Sequence, residues 1–281
     1  MTGVKVVLTG GLGNQMFGAA AGVALAERLG CPLELDLSEL TNLNSRVYEL
    51  DIFDYFKNFE INEQQSISLF HRYSRFNFRH RIFQESSFEF DDKFSKISKS
   101  CTLKGYFQSW RYFEGFERTI DAAFSSPLEN PITQEIKQSV GENYIGVHLR
   151  RGDYLIPHYA DYHGMISEEY VAKVLDSSRI LDFINLPKVL FTDSPEYLSN
   201  DFKMIFDFIV NPQSGLHPFQ HMEALSSSKM LILSNSSFSW WAGYFASRKR
   251  SQVIAPPKWF KSKEFSRFDL YPASWQVAEE F

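Results

Sequence analysis

Short apolar runs alternate with longer amphipathic or alanine-rich segments along most of this 281-residue chain. The first run covers residues 4–8 and leads into a glycine-rich turn. An alanine-rich stretch over residues 16–29 follows, and Gly30 stands where a helix would end. A second apolar run at residues 33–37 completes a strand–helix–strand unit, the building block of a parallel sheet. The beginning of the chain therefore predicts an α/β domain.

The periodicity weakens after this unit. Residues 49–100 are aromatic and charged without a clean period, which predicts short helices and loops. Within them, residues 71–81 form a basic-aromatic stretch that is typical of a solvated helix face or of contact with an anionic membrane surface. A strand over 103–107 and a helix over 111–124 are predicted next.

A second alternating series fills the rest of the chain. Turn residues cluster between Ser125 and Pro131, and we place a domain boundary there, which gives domains of residues 1–135 and 136–281. The predicted strands are 144–149, 188–191, 206–210, 230–233 and 252–255, and the predicted helices are 132–140, 167–180, 218–227 and 239–247. The pattern predicts an α/β protein of two Rossmann-like domains with a cleft between them.

Composition excludes several classes of function. Lys and Arg total 29 against 34 Asp and Glu, so the net charge of −5 gives no sign of a nucleic-acid-binding protein. The two cysteines provide neither a disulfide framework nor metal-ligand spacing, and no D-x-D carboxylate pair is present to hold a metal. No secretory signal or membrane-spanning run is recognisable, which predicts a cytoplasmic protein.

The most informative motif lies at the carboxyl end of the predicted strand at 144–149. It contains His148, Arg150, Arg151 and Asp153. An arginine at the carboxyl end of a strand is a fixed-charge, multi-donor clamp for a diphosphate, and neighbouring His or Asp side chains can orient it or transfer protons. A basic pair by itself is more often solvated, so a functional interpretation of this motif depends on the two motifs that follow the other strands.

Polar residues follow two further strands of the same domain. Asp193 comes after the strand at 188–191, where it suits a guanine edge, sugar hydroxyls or simply a helix N-cap. The strand at 230–233 is followed by small polar residues and an aromatic helix start, comprising Asn235, Ser236, Ser237, Phe238, Trp240 and Trp241. Free N–H groups and hydroxyls there suit a phosphate, whereas at least one tryptophan is expected in the core. Open α/β sheets bind ligands at the carboxyl ends of their strands, and all three motifs lie at such ends.

The glycine-rich turn near the N-terminus is less specific. Gly11, Gly13, Asn14 and Gln15 stand between a strand and a helix, where backbone N–H groups can approach an anion. Met16 occupies the place of the third glycine of a dinucleotide fingerprint, and no P-loop lysine follows. A ligand-free tight turn explains this segment equally well.

Together these motifs resemble those of the bacterial α-1,2-fucosyltransferases, glycosyltransferase family 11, within the larger group of fucosyltransferases that share an H-x-R-R-x-D motif. The resemblance runs nearly end to end. It rests on the glycine-rich segment 10–17, the arginine motif 148–154 and the serine-tryptophan segment 234–241, and it extends to residues 48–53, 105–110, 253–256 and 259–260.

The resemblance implies a GT-B glycosyltransferase that binds GDP-fucose mainly through its C-terminal domain and transfers fucose with inversion and without a metal. Arg150 resembles the arginine that grips the β-phosphate, with Arg151 beside it. His148 and Asp193 resemble guanosine contacts, and Asn14 resembles a residue that faces the transferred sugar. The remaining donor contacts implied are Gly11, Gly13, Gln15, Asn235, Ser236, Ser237 and Phe238.

Two positions depart from the pattern of the relatives. Ser194 and His221 each stand where relatives often carry Asp. For the general base, Asp153 and His163 are the candidates, and Asp153 has a second interpretation as a brace for Arg150. A loosely held base is a further alternative, because bond breaking to the leaving group runs ahead of attack.

The resulting hypothesis is transfer of fucose from GDP-fucose to O2 of a galactose-terminated oligosaccharide or lipid-linked glycan. Transfer with α-1,6 or α-1,3 linkage is an alternative, and so is a GDP-sugar-binding protein without turnover. The expected location is the cytoplasm, and peripheral contact with the inner membrane through residues 71–81 is an alternative to a solvated helix face.

Overall fold

The computed structural model describes residues 3–43, 46–57, 81–126, 129–151, 166–211, 215–260 and 269–278. The chain divides into two compact units, Met1–Pro127 and Leu128–Phe281. Each unit is a mixed α/β structure built on a parallel sheet. The prediction of two α/β units with parallel sheets is therefore confirmed.

The first unit contains a four-stranded parallel sheet in the order β2-β1-β4-β3. Its strands are β1 (Val4–Val7), β2 (Leu33–Asp36), β3 (Ile82–Gln84) and β4 (Thr102–Lys104). Its α-helices are α1 (Leu12–Leu29), α2 (Ser38–Leu43), α3 (Asp54–Lys57) and α4 (Glu117–Ala123), and 3-10 turns cover Leu50–Ile52, Phe94–Lys96 and Trp110–Phe113.

Helix α1 is almost completely buried and packs closely on β1. Gly22 makes this approach possible, because a Cβ atom built there would lie 2.3 Å from Cγ2 of Val6. The helix ends as predicted at Gly30, which adopts a left-handed conformation with φ of 61° and returns its N–H to carbonyls of the last turn.

The second unit contains a six-stranded parallel sheet in the order β10-β9-β8-β5-β6-β7. Its strands are β5 (Ile145–Leu149), β6 (Lys188–Thr192), β7 (Phe208–Val210), β8 (Met230–Ile232), β9 (Gln252–Ala255) and β10 (Gln276–Val277). Its α-helices are α5 (Pro131–Val140), α6 (Glu168–Leu175), α7 (Asn200–Lys203), α8 (Pro218–Leu225) and α9 (Ser237–Arg248), with 3-10 turns at Ser178–Phe183 and Pro195–Tyr197. Every residue of β5 is buried, as expected for a central parallel strand.

Some details differ from the sequence-based expectations. The helix predicted over 111–124 divides into the 3-10 turn Trp110–Phe113 and α4, because Gly115 breaks the chain direction with φ of 85°. The short strands β3 and β10 were not predicted. The division between the units falls after Pro127, so the predicted boundary between residues 135 and 136 would cut α5.

Among the residues described, no helix combines the length and the apolar character needed to cross a membrane. Most of the basic-aromatic stretch 71–81 lies outside the described residues, which resume at Arg81.

Candidate active site

The three strands that carry the polar motifs of the second unit are neighbours. Strand β5 pairs with β8 on one side and with β6 on the other, and both pairings are parallel. Their carboxyl ends therefore meet at one edge of the sheet, and each end continues into one of the motifs. The convergence expected from the positions of the strand ends is thus present in the second unit.

Asp193 binds both residues of the arginine pair. Its Oδ2 lies 3.1 Å from Nη1 of Arg150, and its Oδ1 accepts the backbone N–H of Arg151 at 2.8 Å. The side chains of Arg150 and Asp193 are 31% and 28% exposed. A solvent-accessible ion pair of this kind adds little to stability, but it fixes the direction of the guanidinium group. The planar group has five N–H donors, so an anion can still bind beside the carboxylate.

The two arginines have different surroundings. Arg151 is 5% exposed, and its Nη1 donates to the carbonyl of Ile166 at 2.6 Å. Burial lowers the pKa of its guanidinium group. Arg151 is thus buried, whereas the guanidinium group of Arg150 is partly exposed at the carboxyl end of β5.

His148 links β5 to the segment after β8. Its Nδ1 lies 2.8 Å from Oγ of Ser234, and its ring is 5.3 Å from the ring of Phe238. The pKa of His148 is lowered to about 4, chiefly by burial; Asp193 opposes the shift, whereas Arg150 and His221 add to it. The imidazole is therefore neutral at pH 7, with one ring nitrogen already hydrogen-bonded to a hydroxyl group.

Helix α9 begins at the predicted serine pair. Ser236 is the N-cap residue with extended backbone angles and makes no side-chain cap hydrogen bond, and Ser237 is the first helical residue. The N-terminus of this 12-residue helix directs backbone N–H groups outward and favours a negative charge. Hydroxyl groups and a helix N-terminus thus occur together, which is an arrangement suited to phosphate.

The other residues of this segment have structural contacts. Nδ2 of Asn235 donates to the carbonyl of Trp259 at 3.2 Å. Trp240 and Trp241 are both completely buried, and Nε1 of Trp240 donates to the carbonyl of Leu270 at 2.7 Å. The expectation that at least one of these tryptophans belongs to the core is confirmed for both.

In the first unit, Gln15 is a brace for the glycine-rich loop. Its Nε2 donates to the carbonyl of Gly10 at 3.0 Å and to that of Val47 at 2.9 Å, and its Oε1 accepts the N–H of Glu49 at 3.0 Å. Gln15 is completely buried, and both amide hydrogens are used. The side chain of Gln15 therefore holds the loop in shape, and its contact with the donor stays a prediction.

A carboxylate already lies at the start of α1. Glu49 accepts the backbone N–H of Leu12, and burial raises its pKa, an effect that the hydrogen bond and the nearby Arg46 oppose. A Cβ atom built on Gly11 would lie 3.8 Å from Oε2 of Glu49. The N-terminus of α1 thus has an internal anionic partner. No local sequence pattern indicated a role for Glu49, whose importance arises from its position across the loop.

Asn14 makes a hydrogen bond that the sequence did not indicate. Its Oδ1 accepts Nε2 of Gln108 at 2.8 Å, although the two residues are 94 positions apart. Gln108 lies in the loop after β4, the strand beside β1, and it is 7% exposed. The segment 105–110 contributed to the family resemblance, but nothing in its local pattern pointed to Asn14.

The two candidates for the general base, Asp153 and His163, lie outside the described residues. His221 lies on α8, and burial lowers its pKa. Within the described ranges, no group of three or more His, Cys, Asp or Glu residues has the arrangement of a metal site.

Residues 3–279 match the family described as Glycosyl transferase family 11. The chain belongs to this family. It is also 28% identical over 295 aligned residues to an Escherichia coli protein named alpha-1,2-colitosyltransferase, with 100% of both chains covered. A second Escherichia coli relative, named O-antigen biosynthesis glycosyltransferase WbnK, is 26% identical, with 94% of this chain and 97% of the relative covered.

Among solved structures, the chain is similar to NodZ alpha-1,6-fucosyltransferase soaked with GDP-fucose, an enzyme whose source is Bradyrhizobium. The TM-score is 0.53 at 16% identity, with 86% of this chain and 92% of that chain covered. At this identity the similarity concerns the fold, and it confirms the predicted GT-B fold class. The chain is thus a family 11 glycosyltransferase related to fucosyltransferases.

Proposed function

We propose that this glycosyltransferase moves L-fucose from GDP-β-L-fucose to O2 of a terminal galactose, with inversion and without a metal. The acceptor in this proposal is a precursor of a bacterial surface glycan, such as a lipid-linked O-antigen intermediate, used in the cytoplasm at the inner face of the membrane. Family membership and the Escherichia coli relative named for O-antigen biosynthesis support this biological setting.

The observation that carries the proposal is the fixed guanidinium group of Arg150. It is paired with Asp193 at 3.1 Å at the carboxyl end of β5, and the neighbouring strand β8 leads to the N-terminus of α9. A diphosphate needs several N–H donors and positive charge at such an edge, and these two elements provide both. We therefore assign Arg150, Ser236 and Ser237 to the diphosphate of GDP.

In the proposed reaction, the galactose O2 attacks C1 of fucose while the bond from C1 to the phosphate oxygen breaks. The electron pair of that bond goes to GDP, and the proton of the attacking hydroxyl goes to a base. Negative charge grows on the leaving diphosphate, and Arg150 stabilises it. Removal of a preorganised donor at such a position typically lowers turnover by about 10²–10³.

His148 is not the base in this proposal. Its pKa of about 4 and its hydrogen bond to Ser234 make it a weak proton acceptor that is already engaged within the protein. We assign it to the guanosine side of the donor site, together with Phe238, whose ring is 5.3 Å away. Asp153 and His163 stay the proposed bases, with a loosely held base as the alternative.

A second donor is supported by a specific observation, the full-length similarity to a protein named alpha-1,2-colitosyltransferase. Colitose is fucose without its 3-hydroxyl group, so both donors have the same diphosphate and differ at one position of the sugar. A site that hydrogen-bonds the 3-hydroxyl favours fucose strongly, because its absence leaves a polar protein group unpaired.

The test compares GDP-fucose with GDP-colitose at equal concentration, with lactose and other β-galactosides as acceptors, and determines the linkage of the product by NMR. A higher kcat/KM for GDP-fucose with an α-1,2-linked product supports the proposal. A higher value for GDP-colitose makes colitosyl transfer the function, and an α-1,6 or α-1,3 product contradicts the linkage. GDP binding without transfer to any acceptor favours a sugar-nucleotide-binding protein.

A further inference from the structure

The loop after β4 is held by a partly buried carboxylate. Oε2 of Glu85 accepts the backbone N–H groups of Tyr106 at 2.7 Å and Phe107 at 2.9 Å. Burial raises the pKa of Glu85, and these two hydrogen bonds oppose the shift. Gly105 has a φ of 152°, and a Cβ atom there would lie 2.4 Å from Cβ of Glu85. Glu85 and the loop therefore fit together only with glycine at position 105.

The same loop contains a strained residue. Phe107 adopts a φ of 52°, an unusual value for a residue with a side chain, while its completely buried ring packs against Phe83 and Tyr112. The N–H of Ser109 donates to the carbonyl of Phe107 at 2.8 Å, which closes a tight turn with Gln108 at its centre. Both features fix the position from which the Gln108 side chain extends.

Gln108 then determines how the Asn14 amide is oriented. An amide group has an acceptor end and a donor end, and Nε2 of Gln108 donates to Oδ1 of Asn14 at 2.8 Å. The Nδ2 end lies against Gly10, where a Cβ atom would come within 2.5 Å of it. The carbonyl end of Asn14 is thus bound within the loop, and its NH₂ end is the one available to a ligand.

We propose that Gln108 is a positioning residue that makes Asn14 a hydrogen-bond donor to a sugar hydroxyl oxygen. This inference rests on the proposed function, because it needs a sugar substrate. The hydroxyl belongs either to the transferred sugar or to the acceptor, and the two sources present the same chemistry to Asn14. Glu85, Gly105 and Phe107 support the arrangement by fixing the loop that carries Gln108.

The main experiment replaces Gln108 by glutamate, which has nearly the same shape. An ionised carboxylate only accepts hydrogen bonds, so Asn14 has to turn its NH₂ end toward it and present Oδ1 to the substrate. We expect kcat/KM to fall by roughly tenfold or more at about pH 8, since the donor that the proposal places against the sugar oxygen is lost. A rise in one KM, for the nucleotide sugar or for the acceptor, identifies which sugar Asn14 contacts.

The pH profile tests whether the loss of the donor to Oδ1 of Asn14 explains the effect of the substitution. At low pH the introduced carboxyl group is protonated and can donate to Oδ1 of Asn14, as Gln108 does. The activity of Gln108→Glu relative to the wild type is therefore expected to rise between about pH 8 and about pH 5.5, because burial raises the pKa of a carboxyl group toward this range. A ratio that does not change with pH would overturn the proposal.

Two further variants complete the test. Asn14→Asp can still accept from Gln108 but, while it is ionised, cannot donate to a sugar, so we expect at least the same loss at pH 8. Gln138→Glu, on the exposed face of α5, introduces the same charge elsewhere and is expected to keep wild-type activity. Full activity of either Gln108→Glu or Asn14→Asp at pH 8 contradicts the inference. A wild-type protein that transfers no sugar contradicts instead the proposed function.

Discussion

Arg150 and Asp193 follow directly on two paired residues of adjacent strands, Leu149 of β5 and Thr192 of β6, and their side chains form an ion pair of 3.1 Å. The parallel register thus brings together two residues that are 43 positions apart, since 193 − 150 is 43. Asp193 also accepts a hydrogen bond from the backbone N–H of Arg151, so one carboxylate holds both residues that follow β5. In the proposed function, this organisation prepares Arg150 for the diphosphate.

Replacing Asp193 by asparagine should weaken GDP binding without unfolding the protein. The variant loses the charge that orients Arg150, so we expect the Kd for GDP to rise by roughly tenfold. The ion pair is solvent-accessible, and its loss should cost at most about 1 kcal/mol of stability. Calorimetric titration measures the Kd for GDP, and thermal unfolding measures the change in stability. The control is Asp201→Asn on the exposed surface of α7. An unchanged Kd would mean that Asp193 does not orient a diphosphate-binding arginine.

Stability should depend on pH through His148. Its pKa is about 4 in the folded protein and about 6.5 in an unfolded chain. Between these values the unfolded state binds the additional proton, so the free energy of unfolding decreases as the pH falls from about 6.5 to about 4, by up to about 1.4 kcal/mol per pH unit.

Urea unfolding of the wild type and of His148→Gln at several pH values isolates this contribution. The variant is less stable at pH 7, because it repacks a buried site, but its stability should decrease less steeply in this pH range. If the free energies of unfolding of the two proteins changed equally with pH, this would contradict a neutral, buried His148.

Gln15→Leu tests whether this residue holds the loop or binds the donor. The leucine leaves the carbonyls of Gly10 and Val47 and the N–H of Glu49 without their partner. We expect a loss of about 2–4 kcal/mol of stability, because buried unpaired groups cost about 1–3 kcal/mol each and part of the loop can relax to water. The Kd of the folded variant for GDP should stay within about twofold of the wild-type value. A large loss of GDP affinity with normal stability would favour a direct contact between Gln15 and the nucleotide sugar.

Gly22→Ala should destabilise the first unit although alanine is the better helix former. The helix propensity favours alanine by about 1 kcal/mol, but the new methyl group would lie 2.3 Å from Cγ2 of Val6 in a packed core. Overpacking typically costs about 1–3 kcal/mol, so a net loss is expected in thermal unfolding. Adding Val6→Ala removes the shorter of two close contacts, the other being with Cδ1 of Leu33 at 2.9 Å, and should reduce the penalty of the glycine substitution in a double-mutant cycle. A single variant as stable as the wild type would contradict the close packing of α1 on β1.

The sequence predicted most of the regular structure because apolar periodicity and helix-ending glycines are local signals. It misplaced the start of α1, predicted at Met16 and observed at Leu12, since Gly13 and Asn14 are weak helix formers and the partner of the helix N-terminus is the distant Glu49. Strand β3 was missed because it is three residues long and Ile82 is 59% exposed, so it has no buried pattern.

The candidate site shows the same division between local and long-range information. The meeting of His148, Arg150 and Asp193 followed from the rule that parallel strands present their carboxyl ends at one edge. The hydrogen bond from Gln108 to Asn14 depends on the strained turn at Phe107 and on the pairing of β4 with β1, and neither has a sequence pattern of its own.

The most direct test of the proposed function is the release of GDP from GDP-fucose in the presence and absence of lactose, in EDTA, for the wild type, Arg150→Ala and the surface control Arg118→Ala. We expect lactose-dependent release by the wild type and the control, and a decrease of about 10²–10³ in turnover for Arg150→Ala. Equal lactose-dependent rates for all three proteins would contradict the role of Arg150 at the leaving group. No release with any β-galactoside would contradict galactoside fucosylation itself.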